Sequence, residues 1–304
     1  LSKRGSVLPL SRRASTGWSK GLGLPRGGET VLYTGHMYQL IPAIDAMSSQ
    51  MAMFENSPIT KFFGLGRIVN KFINMSFFMS LTASREMKAQ NNKILRQIAT
   101  LLQGADVSFG YLYEAELYSG ALVFDQGMDA VFEKHARRVF DMFRKHGVRN
   151  VITVDPHTTH MLREVYPRFI PEFDINVQSY LEVLADKAPA VANPLDKTLV
   201  VHDSCVYARY EGMIDPPRTL LEAAGVTVKE PELCRTSTHC CGGPIEALFP
   251  TEAHRIAKSR IEQLAEAGDS VATMCPICWV NLRKAGARQI VVKDISETLA
   301  EAYG

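Results

Sequence analysis

Five of the six cysteines in this 304-residue chain lie in three short clusters in its C-terminal third. The clusters read H-D-S-C at 202–205, H-C-C-G-G at 239–243 and M-C-P-I-C-W at 274–279, with thirty-odd residues between one and the next. Adjacent cysteines rarely pair with each other, and the sequence shows no secretory segment, so disulfides are not expected. Thiolates clustered in this way instead indicate a metal ion or an iron–sulfur cluster.

The number of ligands narrows the kind of centre. A tetrahedral zinc ion takes four ligands and a cubane iron–sulfur cluster takes four cysteines, so five thiolates leave one over. The neighbouring thiolates of Cys240 and Cys241 are poorly placed for opposite corners of one metal ion, but they can hold or bridge two adjacent irons. Gly242 and Gly243 have no Cβ atoms, so the backbone can approach an inorganic core closely.

The pattern C-(thirty-odd)-C-C-G-(thirty-odd)-C-P-x-C resembles the cysteine-rich "CCG" domain of the heterodisulfide reductase B-type subunit and of its relatives in sulfur-oxidation heterodisulfide-reductase-like complexes. The resemblance extends at least from Leu199 to Leu282. It implies one non-cubane 4Fe-4S cluster bound by all five cysteines of the clusters. The ligands implied are Cys205, Cys240, Cys241, Cys275 and Cys278.

The same resemblance implies an oxidoreductase subunit that works within a cytoplasmic complex. The chemistry implied is thiol/disulfide redox or sulfur transfer, with a thiol, a disulfide or a sulfur carrier as substrate. The partners implied for electron transfer are a ferredoxin-type iron–sulfur protein and a flavin protein of the same complex. The alternative is a non-catalytic, zinc- or cubane-stabilised scaffold or electron relay in a membrane-associated oxidoreductase.

Three further residues lie near the ligand cysteines. His202 and His239 are candidates for tuning the redox potential of the cluster through hydrogen bonds or charge, and a packed polar role is the competing interpretation. Cys234 precedes the vicinal pair, and a buried, inert thiol is favoured there over a sixth ligand. Nothing else in the sequence identifies a catalytic side chain.

Strand and helix patterns alternate along most of the chain, which predicts an α/β fold with parallel-rich sheets and crossover helices. Strands are predicted at 31–34, 107–112, 150–154, 198–201, 226–229, 270–273 and 289–292. Helices are predicted at 84–102, 127–146, 218–224, 251–267, 279–285 and 295–302, with another that follows Asp155-Pro156 and reaches Tyr166.

The two halves of the chain resemble copies of one unit. His36 corresponds to Cys205, Y-S-G at 118–120 to C-C-G at 240–242, and D-P-H-T at 155–158 to C-P-I-C at 275–278. The first copy has therefore lost its cysteines and is expected to hold no iron–sulfur cluster. Two interpretations of its polar residues remain, a site for a harder metal and satisfied hydrogen bonds. The candidate ligands of the harder metal are His36, Asp155, His157 and His160.

Composition divides the chain into three parts. Residues 1–30 are predicted to be an extended basic arm, 31–190 a degenerate CCG-like domain and 191–304 the cluster-binding CCG domain. A Met- and Phe-rich insert at about 40–100, with a helix predicted at 59–81, suits a core, a subunit interface or a membrane surface, the last being least favoured. No run of 18 apolar residues is present, and the net charge of +2 gives no argument for nucleic acid.

Overall fold

A computed structural model describes residues 5–8, 10–55, 84–246, 249–286 and 289–304. Within these ranges, eight strands form two four-stranded sheets in which every strand pair is parallel. The expected α/β class with two related parallel sheets is therefore confirmed. The helix expected at 59–81 lies outside the described residues.

The first sheet has the strand order β2-β1-β3-β4. Val31 and Leu32 point to its opposite faces and are both fully buried, because helices cover both sides of the sheet. The strands are β1 (Thr30–Tyr33), β2 (Gly110–Tyr111), β3 (Asn150–Thr153) and β4 (Asn176–Ser179). The helices are α1 (Arg12–Thr16), α2 (Met37–Glu55), α3 (Arg85–Gly104), α4 (Ala121–Phe124), α5 (Asp129–Lys145), α6 (Pro156–His160), α7 (Tyr166–Phe169) and α8 (Tyr180–Lys187).

The second sheet repeats this arrangement with the order β6-β5-β7-β8. Val200 and Val201, on its opposite faces, are again buried. The strands are β5 (Lys197–His202), β6 (Val226–Lys229), β7 (Ser270–Thr273) and β8 (Val291–Asp294). The helices are α9 (Cys205–Tyr210), α10 (Asp215–Ala223), α11 (Pro250–Ala267), α12 (Pro276–Gly286) and α13 (Ile295–Tyr303).

Strand pairing aligns the two halves residue by residue. Tyr33 pairs with Thr153 at the end of the first sheet, and His202 pairs with Thr273 at the end of the second. Counting onward from these pairs makes His36 equivalent to Cys205 and residues 155–158 equivalent to 275–278. The repeat inferred from the sequence is therefore present in the register of the strands.

Two glycine turns complete the alignment. Gly120 and Gly242 have φ values of 90° and 83°, and each precedes a short helical turn. This left-handed conformation favours glycine, so the two turns are equivalent in both geometry and sequence. The residues of the first half that stand at the five cysteine positions are His36, Tyr118, Ser119, Asp155 and Thr158.

The two halves pack about an approximate two-fold axis. The Tyr38 hydroxyl donates to Asp294 Oδ2 at 2.7 Å, and the equivalent Tyr207 hydroxyl shares a hydrogen bond with Ser179 Oγ at 2.8 Å. Asp294 and Ser179 are themselves equivalent, because each ends a strand and caps the following helix with a capping box. Equivalent residues thus make reciprocal contacts, as in an isologous interface.

The segment before β1 is not the extended arm that its composition predicts. Trp18 is fully buried, and its Nε1 donates to the Tyr111 hydroxyl at 3.3 Å. Arg26 forms a parallel bridge with Tyr111, so this segment also lies along the edge of β2. The segment packs on the first sheet because burying the large indole of Trp18 is more favourable than leaving it exposed on a solvated arm.

Candidate metal centre

The two central strands of the second sheet bring two of the three cysteine clusters together. Strands β5 and β7 are neighbours and run parallel. Cys205 begins α9 directly after β5, and Cys275 precedes α12 directly after β7. Both therefore lie beyond the carboxyl ends of adjacent strands, which is where open α/β sheets bind ligands. Cys278 lies in the first turn of α12.

The vicinal pair is carried by the turn at Gly242. A Cβ atom on Gly242 would collide with the carbonyl oxygen of Ala253 in α11, and one on Gly243 would collide with Ile277. The same Cβ on Gly243 would lie 3.4 Å from Cys241 Sγ. The two glycines therefore let the backbone pack closely against α11 and α12 beside the thiol of Cys241.

All five predicted ligands meet in one row. Successive side chains along this row are in hydrogen-bond contact, and the Gly242 N–H donates to Cys240 Sγ at 3.4 Å. The described cysteines are all free thiols. We call this set the cysteine row; its order is Cys205, Cys240, Cys241, Cys278, Cys275.

The cysteine row is open at one end and closed at the other. Cys205 and Cys240 are half-buried, whereas Cys241, Cys278 and Cys275 are 1–3% exposed. A cleft between the two halves reaches the closed end, but its cavity volume is only about 50 Å³, room for one or two water molecules. Among the described residues, the Cys205–Cys240 end is therefore the more accessible to a reactant larger than water.

The sulfur atoms of the row cannot all be ionised in the metal-free protein, because they share protons. Hydrogen bonds from Cys205 and Cys241 lower the pKa of Cys240. Burial raises the pKa of Cys275, but hydrogen bonds from Cys278 and His157 outweigh it and lower this pKa well below its ordinary value. The pKa of the other three cysteines is raised, first by hydrogen bonds to a neighbouring sulfur. Metal binding would displace the remaining protons.

Asp203 anchors the loop that leads into the vicinal pair. Its carboxylate accepts two hydrogen bonds from the buried Arg218 at 2.8 and 2.9 Å, and Oδ2 also accepts from the Arg235 N–H at 2.6 Å. The Asp203 carbonyl accepts from Thr238 Oγ1 at 3.0 Å. Residues 235–238 are thereby held just before Cys240.

His202 lies against the buried part of the cysteine row. One of its ring nitrogens is within 4.8 Å of the sulfur atoms of Cys241 and Cys278. Nδ1 accepts a hydrogen bond from Arg260 Nε at 3.1 Å, and Nε2 has no partner among the described residues. Burial and the positive charge of Arg260 lower the pKa of His202 to about 3, so the ring is neutral.

A side chain of the first half reaches the closed end of the row. His157, near the start of α6, is in hydrogen-bond contact with the thiol of Cys275. Burial lowers the pKa of His157, but this contact and the charge of the Cys275 thiolate raise it to about 9. The half without cysteines therefore touches the row directly.

The remaining predicted site residues lie outside the row. His239 is half-buried, and its Nδ1 is 2.9 Å from the carbonyl oxygen of Cys240. Cys234 is half-buried rather than buried, and the charges that act on it come from groups such as Glu230 and Asp203 rather than from other cysteines. Cys234 lies beside the loop at 235–238 and outside the row, in agreement with the expectation that it is not a sixth ligand.

The polar residues of the first half do not assemble the harder metal site considered above. His157 turns to Cys275, and His160 Nδ1 is bonded to Glu211 Oε1 at 2.7 Å. In the described part of the chain, the one group of three potential metal ligands is His202, Cys241 and Cys278. Its atoms belong to the second half, where the soft thiolates are.

The positions that have lost their cysteines are closely packed. A Cβ atom on Gly35 would collide with Thr158 and lie 3.0 Å from the Ser119 Cβ. His36 Nε2 lies 3.8 Å from Glu116 Oε1. Burial lowers the pKa of His36 to about 4 and raises that of Glu116 to about 8, so both groups are neutral at pH 7.

The residues present fit an iron–sulfur cluster. The row supplies five soft thiol ligands, and the adjacent glycines leave space for backbone beside the row. His202 Nε2 and Arg260 Nη2 are buried donors with no partner in the described ranges. A ring nitrogen of His202 lies within 4.8 Å of the sulfur atoms of Cys241 and Cys278, so these unpartnered groups lie beside the place where an anionic inorganic core would bind.

Comparison with known proteins defines the class of the second half. Residues 199–283 match the cysteine-rich CCG domain family, and this span contains the whole cysteine row. The chain therefore carries a CCG cysteine-rich domain, and the resemblance inferred from the cysteine pattern is confirmed.

Individual relatives are larger oxidoreductases and components of reductase complexes. The chain is 32% identical over 239 residues to a probable iron-sulfur-binding oxidoreductase, FadF, of Bacillus subtilis, which covers 74% of this chain and 33% of that protein. It is 29% identical over 224 residues to an EtfAB:quinone oxidoreductase of Syntrophomonas wolfei, covering 67% and 31%. It is 29% identical over 230 residues to the D-type subunit of the dihydromethanophenazine:CoB–CoM heterodisulfide reductase of Methanosarcina barkeri, covering 70% and 56%.

The chain thus spans about a third of the first two relatives and slightly more than half of the third. Within the described ranges, none of the helices combines the length and the apolar character that a bilayer crossing requires.

Two residues at the centre were missed from the sequence. Arg260 is a charged residue on the otherwise apolar face of α11, formed by Ala253, Ala257, Ile261 and Leu264, and that position is the signal that could have revealed it. His157 was considered only as a ligand in its own half. Its contact with Cys275 depends on how the halves pack, and no sequence pattern reports that.

Proposed function

We propose that this chain is the iron–sulfur subunit of a heterodisulfide reductase-like complex and holds one non-cubane 4Fe-4S cluster through the five residues of the cysteine row. The observation that carries the proposal is the row itself: five free thiols in continuous contact, including a vicinal pair. A zinc ion or a cubane cluster would use four of them and leave one thiol of the row without a role. The relatives named as iron–sulfur proteins add support.

We assign different roles to the open and the closed end of the cysteine row. When bound, the cluster would supply one-electron transfer and an iron that can bind a thiol sulfur. Cys205 and Cys240 form the open end, so we assign this end to the reacting thiol or disulfide. His157 and the packed first half close the other end and exclude water beyond the small cleft. The neutral, closely packed residues of the first half therefore enclose the centre without adding a second one.

The reaction requires external electrons. Reduction of one disulfide consumes two electrons and two protons and releases two thiols; the reverse reaction returns them. We assign the electrons to a ferredoxin-type partner that exchanges them with a flavin protein, one electron at a time, and the protons to solvent at the open end. All six cysteines are free, which agrees with the reducing cytoplasm as the compartment.

A second candidate function is electron relay without sulfur chemistry. A relative whose name is EtfAB:quinone oxidoreductase favours it, because that name includes no thiol or disulfide substrate. In that case the open end would face a partner protein rather than a small reactant. The ligand set of the cluster would be the same.

Metal and sulfide analysis of the anaerobically purified chain tests whether the centre is an iron–sulfur cluster. We expect about four irons and four acid-labile sulfides per chain, the composition of one 4Fe-4S cluster. One zinc ion with no sulfide would overturn the proposal and support a structural scaffold. Paramagnetic resonance after oxidation, with and without an added thiol, separates the two functions. A thiol-dependent signal supports thiol chemistry, and identical spectra support the relay.

A further inference from the structure

Arg260 is a fully buried cation that has no acidic partner among the described residues. Its Nη1 donates to Leu233 O at 2.8 Å and to Gln263 Oε1 at 3.0 Å, and its Nε donates to His202 Nδ1 at 3.1 Å. All three acceptors are uncharged. Its Nη2 has no hydrogen-bond partner within the described residues.

A comparison with Arg218 shows how unusual this environment is. Arg218 is also buried, but it is paired with Asp203 at 2.8 Å and with Glu230 at 2.6 Å. Asp203 acts on Arg260 only at longer range, since both of its carboxylate oxygens already accept from Arg218. A buried charge without a counter-charge is strongly unfavourable. Besides Asp203, the groups that would act on Arg260 in their ionised forms are the sulfur atoms of Cys278, Cys234 and Cys241.

Arg260 determines which nitrogen of His202 carries the proton. A guanidinium group can only donate hydrogen bonds, so Nδ1 of His202 must be the acceptor. The neutral ring then has its single proton on Nε2, the nitrogen without a described partner. Because Nδ1 is occupied by Arg260, Nε2–H is the group left for the adjacent sulfur atoms of Cys241 and Cys278.

We propose that Arg260 is a positioning residue that acts through His202: it holds the imidazole so that Nε2–H donates to sulfur on the Cys241–Cys278 side of the centre, and it thereby raises the redox potential. The inference rests on the proposed iron–sulfur function. A hydrogen bond to a ligand sulfur withdraws negative charge and stabilises the reduced, more negative state. The effect belongs to both residues together, because without Arg260 the ring is free to change tautomer.

Redox titration of the loaded protein tests the pairing. We expect Arg260→Met and His202→Phe each to lower the midpoint potential of the cluster, and the double variant to have the same potential as His202→Phe alone. If the shifts in potential of the two single variants simply add in the double variant, Arg260 acts as a separate charge, and the proposal that it acts through His202 is overturned. Arg255→Met is the matched control. Arg255 lies on the exposed side of the same helix and pairs with Glu252, so its variant should keep the wild-type potential.

The remaining outcomes are distinguishable. If the wild-type chain holds no iron and sulfide, the proposed function fails and the inference fails with it. If it holds a cluster and His202→Phe leaves the potential unchanged, the inference alone is wrong. If Arg260→Met does not fold, Arg260→Lys replaces it in the test, because lysine retains a hydrogen-bond donor and a positive charge. We expect Arg260→Lys to give a potential between those of the wild type and His202→Phe, and a potential equal to that of His202→Phe would contradict the argument.

Discussion

The buried pair of Asp203 and Arg218 leads to a quantitative prediction for the stability of the second half. Asp203 is 1% exposed and accepts a bidentate interaction from Arg218 together with the Arg235 N–H. Asp203→Asn removes the charge with little change in shape. Removing one partner of a buried ion pair typically costs about 3–5 kcal/mol. Because Glu230 still neutralises part of the Arg218 charge, we expect the lower value, about 3 kcal/mol.

Anaerobic urea unfolding of the metal-free chain measures this loss. With a slope of about 3 kcal/mol per molar urea, suitable for a large chain, the midpoint should fall by about 1 M. Asp215→Asn is the control, because Asp215 is exposed and pairs with the half-exposed Arg235 at 3.4 Å. Such a pair is worth less than about 1 kcal/mol. Equal midpoints for the two variants would refute the conclusion that the Asp203–Arg218 pair anchors this region.

Three further outcomes are expected. Cys241→Ser should lose the cluster or convert it to another type, which would change the iron content and the absorption spectrum. Cys234→Ser is the control and should keep the wild-type iron content and spectrum. A Cys241→Ser protein with unchanged iron content and spectrum would rule out ligation by five cysteines. Gly242→Ala should lower the urea midpoint more than Gly212→Ala, because both have positive φ but a Cβ atom at Gly242 meets backbone and one at Gly212 meets nothing within 4 Å. Burial raises the pKa of Glu116 from 4.5 to about 8, so the folded chain binds a proton that the unfolded chain has released. The contribution of Glu116 to stability therefore falls as the pH rises from about 4.5 to about 8. Glu116→Gln should reduce that fall in urea unfolding, and equal slopes for variant and wild type would contradict the assignment.

Most elements of the second half could be predicted from local pattern. Strands β6 and β7 have the predicted bounds, and α11 begins one residue before its prediction. These segments combine short apolar runs with strongly periodic helices, and neither signal depends on distant contacts.

Two of the misses depend on contacts between strands rather than on local pattern. Strand β4 and helix α8 were not predicted; β4 reads N-V-Q-S, and only Val177 in it is apolar. Its pairing with β3 at the edge of the sheet, rather than its own composition, makes it a strand. The strand predicted at 107–112 shortens to two residues, where the segment around Arg26 packs along its edge.

The amino-acid sequence by itself determined the chemistry of the centre: the number of thiols, the vicinal pair, the glycines beside it and the loss of every cysteine from the first copy. These features depend on residue type and on spacing along the chain, which can be read before folding. Only the tertiary structure decided the order of the thiols in the row, which end is open, and that Arg260 and His157 reach it. Those properties arise where segments far apart in sequence pack together, and the burial that selects such contacts exists only in the folded chain.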